Sequence, residues 1–437
     1  CIGTFLFFYS LSGFLLKFIQ ASKKIYMKNL NMFVLRQVNS QVNTTTFSMT
    51  IISILLFLTI CIFSSAISLN NTMTQQLETC NPVDITVYRS ANHMSDNGKP
   101  RTVAEVLKIV GIDPEKYFSE YIETPVYVTE ELNLGKSLGD EIFNNAKLEF
   151  TGITYSQLER IMKVSDYNKV AKMFGNEQIE LQNNEYAVVG DYEAVIGIRN
   201  KALESGYEVV LNGEKYKPAY SECIHGFISD STQPMETGIF ILPDDAVKEE
   251  WKKYNYLNAN YIGETEKEKQ EIENKITELS DDDTINASNI GDLMALSKIT
   301  NYEASKGIGS IVTFIGLYLG IIFLISSAAI LALKQLSESA DNKERYDILR
   351  KIGTDEKMIN GALFKQIAIF YMLPLALAII HSIFGIITAG KVLVVFGKQD
   401  VIGGIITTAI FIIIIYGGYF LATYFGSKNI IKSKLGN

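Results

Sequence analysis

Four long runs without a charged residue constrain this chain more than any other feature. They cover residues 47–69, 308–333, 366–390 and 401–427. A hydrocarbon core of about 30 Å needs about 20 helical residues, and each run is long enough. Residues 70–306, between the first two, have ordinary soluble composition. The expected fold is an α-helical membrane protein of four full spans plus one truncated span. A large extracytoplasmic α/β or α+β domain is inserted between the first two full spans.

Charge divides along the same lines. Residues 70–306 carry 23 Lys and Arg against 41 Asp and Glu, a net of −18, and the remainder has a net of +10. The overall net charge of −8 therefore describes neither part. Lys17, Lys23, Lys24, Lys28 and Arg36 lie in residues 1–46, which contain no acid. Seven further Lys and Arg fall in 334–365, and Lys428, Lys432 and Lys434 in the tail. The positive-inside rule places these short basic segments in the cytoplasm. The alternation of spans then puts 70–306 and the 391–400 loop outside.

The implied order is a truncated transmembrane segment at 1–19, a basic amphipathic helix at 20–46 and a span at 47–69. The outer domain (70–306), a span at 307–333 and a cytoplasmic segment at 334–365 follow. Spans at 366–390 and 401–427 flank the 391–400 loop, and 428–437 is a cytoplasmic tail. In 20–46, Ile25, Leu30, Phe33 and Val34 form an apolar stripe, and the basic residues face phospholipid headgroups. Residues 1–16 lack the charged start and small-residue cleavage site of a signal peptide, so they read as the end of a longer span.

Within 70–306, Asp84–Arg89 alternates as a strand, and Thr102 with Glu105 forms a capping box. Lys147–Tyr155 reads as a strand and Ser156–Glu159 as a helix start. Tyr167–Phe174 is helical up to Gly175. Asn212-Gly213 sits between alternating runs and predicts a hairpin. Ile239–Leu242 is a strand stopped by Pro243, after which Asp244 caps a helix through Lys253. Thr265 and Glu268 cap a last helix with Ile272, Ile276 and Leu279 on one face, and Asp281–Asp283 is an acidic linker. Cys80 and Cys223 occupy an environment that permits a disulfide, whereas Cys61 lies in a span.

Motifs for chemistry are scarce. Gly135-Lys136-Ser137 lacks the first glycine of a phosphate-binding loop, with Glu130 in its place. His93, His225 and His381 are far apart, and the metal-ligand spacings of clustered Cys and His are missing. No nucleophile–base motif stands out, so the chain is read as non-catalytic, with no metal and no nucleic-acid partner. In the spans, Gly316 and Gly320 form a GxxxG suited to close helix contact or present by chance. Pro374 should kink its helix. His381 is an intramembrane ionisable group, either a polar site or a hydrogen-bonded interface residue.

The informative segment is 334–366, KQLSESADNKERYDILRKIGTDEKMINGALFKQ. It extends the preceding span, breaks at Gly353, and restarts at Thr354 with Asp355 and Glu356 in the first turn, where acids suit a helix N-terminus. Ile348, Leu349 and Ile352 form an apolar strip among charges, fit to dock a soluble partner.

This segment resembles the C-terminal module of FtsX-like ABC-transporter permeases, in which an "ILRKIG"-type turn touches the ATPase subunit. The stretch NMFVLRQVNSQVNTTTFSMTIISILLFLTI resembles the entry helix and span before the family's outer domain. One span, a domain of over 200 residues and three further spans fit the branch that handles bacitracin and lantibiotics, with this chain as a C-terminal fragment. The resemblance implies ATPase coupling through Glu338, Lys343, Arg345, Ile348, Leu349, Arg350, Lys351, Ile352, Gly353, Asp355 and Lys357. It implies ATP and Mg on a separate ATPase subunit rather than a cofactor in this chain. A sensor histidine kinase, the lipid bilayer, and a cationic peptide antibiotic or its lipid-linked target are the other implied partners. The acidic outer domain would attract cationic peptides in a salt-dependent way, or serve solubility alone. The alternatives are an ATPase-coupled regulator of a cell-wall hydrolase and a lipid or lipoprotein transporter of the same broad family.

Overall fold

The computed structural model describes residues 2–21, 26–91, 101–150, 152–280, 293–393, 396 and 401–432. Lys23, Lys24, His93, Asp281–Asp283, Lys434 and residues 394–395 and 397–400 of the expected short loop lie outside them. The chain divides into a helical unit (Cys1–Asn71, Ser310–Leu393, Gln399–Asn437) and a second unit built from Thr72–Gly309.

Among the described residues, four helices are long and apolar enough to cross a membrane. They are α2 (Asn31–Cys80), α10 (Lys298–Asp341), α12 (Glu356–Leu393) and α13 (Val401–Ile431). A shorter helix, α1 (Ile2–Ala21), precedes them. The segment expected as one amphipathic helix over 20–46 is not one element. Asn29 has positive φ, and from Asn31 the backbone runs unbroken through the apolar run. Leu30, Phe33 and Val34 pack into the helical core. Polar Asn43–Thr46 do not end the helix, because neither glycine nor proline interrupts residues 31–80.

Glycines from three helices converge on α2. A Cβ on Gly316 of α10 would lie 2.5 Å from Ala66 Cβ, and one on Gly320 would run into the Phe63 ring. On α12, a Cβ on Gly385 would lie 2.6 Å from Cys61 Sγ, and on α13 one on Gly404 would lie 2.5 Å from Ser64 O. Small residues let helices approach without an aqueous hydrophobic drive between them, and short hydrogen bonds then form. Ser64 Oγ and Thr408 Oγ1 are 3.1 Å apart. The sequence motif pointed to Gly316 and Gly320; Gly385 and Gly404 have no glycine four residues away and gave no such signal. Pro374 is buried within α12, which continues on both sides of it.

The Thr72–Gly309 unit is built on a mixed sheet. Its strands are β1 (Ile85–Ser90), β2 (Phe118–Asn133), β3 (Leu158–Lys163), β4 (Glu185–Gly190), β5 (Val209–Leu211), β6 (Glu214–Pro218), β7 (Ile224–His225), β8 (Ile239–Leu242), β9 (Lys252–Tyr261) and β10 (Leu293–Ser297). The order is β10-β1-β9-β2-β3-β8-β4-β6-β5, with β7 beside β4. Strands β3/β8, β4/β6 and β4/β7 are parallel, and the remaining pairs antiparallel. Helices α3 (Val103–Ile109), α4 (Pro114–Tyr117), α5 (Leu134–Leu138), α6 (Asp140–Glu149), α7 (Val164–Phe174), α8 (Glu193–Glu204) and α9 (Glu266–Ser280) complete it. Helix α7 buries Tyr167, Val170, Ala171 and Phe174 against β3, β4 and β8, and α9 buries Ile272 and Ile276 beside β1 and β9.

Local chemistry located several of these elements. Thr102 and Glu105 exchange both bonds of the capping box, and Gly175 ends α7 in the left-handed conformation. Asn212 and Gly213, with φ of 55° and 79°, make the tight turn between β5 and β6. Three expectations fail. Of residues 147–155, expected as a strand, 147–149 end α6 and 152–155 are turn and irregular backbone, and the helix expected from Ser156 is strand β3. Asp244 opens short 3₁₀ turns rather than a helix through Lys253, and Lys252 begins β9. At β3 the sequence favours helix locally, but that strand lies between β2 and β8. Pairing on both edges outweighs a propensity scale spanning only about 1 kcal/mol. Cys80 and Cys223 are free thiols.

Candidate functional site: a helical corner joining α10 and α12

The candidate site is the corner between α10 and α12. Helix α10 ends at Asp341, and α11 (Lys343–Lys351) begins immediately after Asn342. The sequence predicted one break, at Gly353; the structure has a second at Asn342. The Gly353 break is a Schellman motif. Gly353 N–H donates to Arg350 O (2.9 Å), Thr354 N–H donates to Leu349 O (3.1 Å), and Gly353 has φ +87°. Only glycine adopts that conformation readily, which is why the chain turns here. Met358 and Ile359 N–H then donate to Asp355 O, so α12 opens from Asp355 rather than Thr354.

A set of polar contacts fixes the corner. Arg350 donates to Asp347 (2.9 Å), to Glu356 (2.5 Å) and to the Ile431 carbonyl at the end of α13 (2.8 Å). Asp347 and Glu356 hold the Arg350 guanidinium charged, pushing its proton affinity further up. Arg345 donates to Gln37 of α2 (3.0 Å). Tyr346 is fully buried, donates to Gln366 (2.9 Å) and meets the Phe33 ring edge-on. Three arms from α11 therefore reach α2, α12 and α13. Tyr346 and Gln366 carried no sequence signal, because an isolated aromatic and an isolated amide match no motif.

The side chains named from sequence separate into two sets. Ile348 and Ile352 are 57% and 72% exposed, with Lys351, Asp355 and Lys357 exposed around them. Leu349 does not join that strip. It packs into the helical core, because a residue one position on from Ile348 turns about 100° around the helix. Glu338 is also buried, 3.7 Å from Lys334 one turn back and accepting from Gln335. Lys343 is half-buried. The outward surface is thus two isoleucines among charges, held from behind by Arg345, Tyr346, Leu349 and Arg350.

His381 sits elsewhere, in the middle of α12. Its ring meets Phe57 edge-on at 6.2 Å, and with Thr4, Gly385 and Thr388 it lines a recess of about 760 Å³.

Over 92 residues the chain is 41% identical to the bacitracin export permease BceB of Bacillus subtilis, covering 21% of this chain and 14% of that protein. This chain is similar to ABC transporter permeases. It is 30% identical over 125 residues to the ABC transporter permease YxdM of Bacillus subtilis (29% of this chain, 18% of that protein). It is 39% identical over 85 residues to BceB of Halalkalibacterium halodurans (19% of this chain, 13% of that protein). The matched stretches thus span less than a fifth of these permeases. No family model matches the sequence. The permease similarity and the four apolar helices together make this a multi-pass membrane protein with an inserted α/β domain.

Proposed function

We propose that the chain is a non-catalytic permease subunit of an ABC transporter that senses, removes or exports antimicrobial peptides of the bacitracin or lantibiotic type. The single observation carrying this reading is the 41% identity to a bacitracin export permease. A separate ATPase, holding ATP and Mg, would dock on Ile348 and Ile352 at the α11 corner. Its stroke would pass through Arg345, Tyr346 and Arg350 into α2, α12 and α13. The basic short segments support a cytoplasmic corner and C-terminus, with the acidic domain outside. That domain would meet a cationic peptide or its lipid-linked target, and a sensor histidine kinase would be a further partner.

Deleting the gene in its host and measuring growth inhibition by bacitracin and a lantibiotic panel tests the reading. Sensitisation to at least one peptide is expected. Unchanged inhibition across the panel would favour the hydrolase-regulator or lipid-transporter alternatives.

A further inference from the structure

Helices α2 and α12 enclose a groove of about 370 Å³ beside Lys365. Val34 and Leu35 wall it on α2, and Phe364, Ala368, Ile369 and Met372 on α12. These side chains offer an acyl chain no hydrogen-bonding competitor. At the mouth, exposed Lys365 donates through Nζ to Asn31 Oδ1 at 2.9 Å. An ammonium has three donors, so two remain available. Lys365 makes no ion pair among the described residues, and its own helix carries no acid between Lys357 and Leu393. Residues 1–46, including the first turns of α2, contain no acid either, while Lys28 and Arg36 flank the start of α2.

Depth supplies the remaining constraint. Lys365 directly precedes the uncharged run 366–390, so it lies where hydrocarbon gives way to headgroups. Soluble anions would not need the apolar walls, and a zwitterionic lipid would bring a second cation to a lysine whose own helix supplies no acid between Lys357 and Leu393. We propose that this groove is a binding site for an anionic glycerophospholipid, with one acyl chain between α2 and α12 and the phosphate on Lys365 beside Asn31.

The test uses the full chain reconstituted in vesicles. Trp251 is the chain's single tryptophan. In a Trp251→Phe, Met372→Trp variant the new indole reports the groove, because Met372 lines it and is half exposed. Its fluorescence is titrated with acyl-brominated phosphatidylglycerol and phosphatidylcholine. Phosphatidylglycerol should be preferred about fivefold, the attraction of one lysine for an anionic lipid. Lys365→Gln should remove the preference and Lys365→Arg retain it, with inorganic phosphate without effect. Equal quenching by the two lipids would overturn the site, leaving ordinary annular contact. A preference that survives Lys365→Gln would overturn the role of Lys365. Competition by inorganic phosphate would show a free-anion site instead, and an absence of quenching would show a groove closed to lipid.

Discussion

Replacing Gly320 with alanine places a methyl group against the Phe63 ring. The added Cβ would lie 2.9 Å from Cζ and closer still to Cε1 and Cδ1, whereas ordinary contact begins at 3.4 Å. Either the ring turns or α10 withdraws. Turning is obstructed, because Phe63 is fully buried and its ring centroid is 5.5 Å from that of Phe411. Withdrawal would pull apart the contact from Thr59 Oγ1 to the Gly320 carbonyl, already 3.4 Å long. Overpacking of this kind costs about 1–3 kcal/mol. Reversible unfolding in mixed micelles, followed by circular dichroism, reads the loss. Gly361→Ala is the control: nothing lies within 4 Å of its added Cβ. Relief of the glycine entropy should there give up to about 1 kcal/mol of stabilisation. Phe63→Leu should recover at least half of the Gly320→Ala cost, since contacting residues couple by about 0.5–3 kcal/mol. If Gly320→Ala is as stable as the parent, or costs the same with leucine at 63, the steric account is wrong.

Four further outcomes follow from the same geometry. Gly353→Val should destabilise the corner by on the order of 1–2 kcal/mol, because φ is +87° there, and should raise protease cleavage between α11 and α12. Glu159→Gln should cost about 3–5 kcal/mol in thermal or chemical unfolding of the inserted domain, since it leaves Arg199, bonded at 2.9 and 3.1 Å, as an uncompensated buried charge; replacing both partners with Met should cost much less. Burial, reinforced by the Glu236 carboxylate, pushes Asp191 from 3.8 up to about 7. The folded domain therefore keeps a proton that the unfolded chain loses, and stability should fall as pH rises from about 4 to 7, by at most about 4 kcal/mol for this group; Asp191→Asn should flatten that slope in pH-dependent unfolding. Ile348→Asp and Ile352→Asp should leave folding intact while weakening ATPase co-purification by on the order of 1–3 kcal/mol, and unimpaired co-purification would remove the docking role from the corner.

The elements legible in the sequence were those set by local or one-dimensional rules. Charge-free runs reveal helices long enough to span a bilayer, because each backbone group in lipid must be satisfied within its own helix. Thr102 with Glu105, Asn212-Gly213 and Gly353 declare a cap, a hairpin and a helix end through their own backbone chemistry. The corner was visible as a charged segment with a glycine break, which is how Ile348, Ile352 and Gly353 were found. Its breaking point at Asn342 was not visible, because neither glycine nor proline marks that residue.

Tertiary structure decided the rest. Strand β3 carries helix-favouring sequence and becomes a strand because both of its edges are paired in the sheet. Leu349 and Ile348 are chemically alike and adjacent, yet one is core and the other surface, which depends on where α13 and α12 lie. Gly385 and Gly404 acquire meaning from Cys61 and Ser64, residues more than three hundred positions away. A sequence fixes which surfaces are apolar and where the backbone turns. Which side chains meet depends on how distant segments pack, and that is a property of the assembled chain.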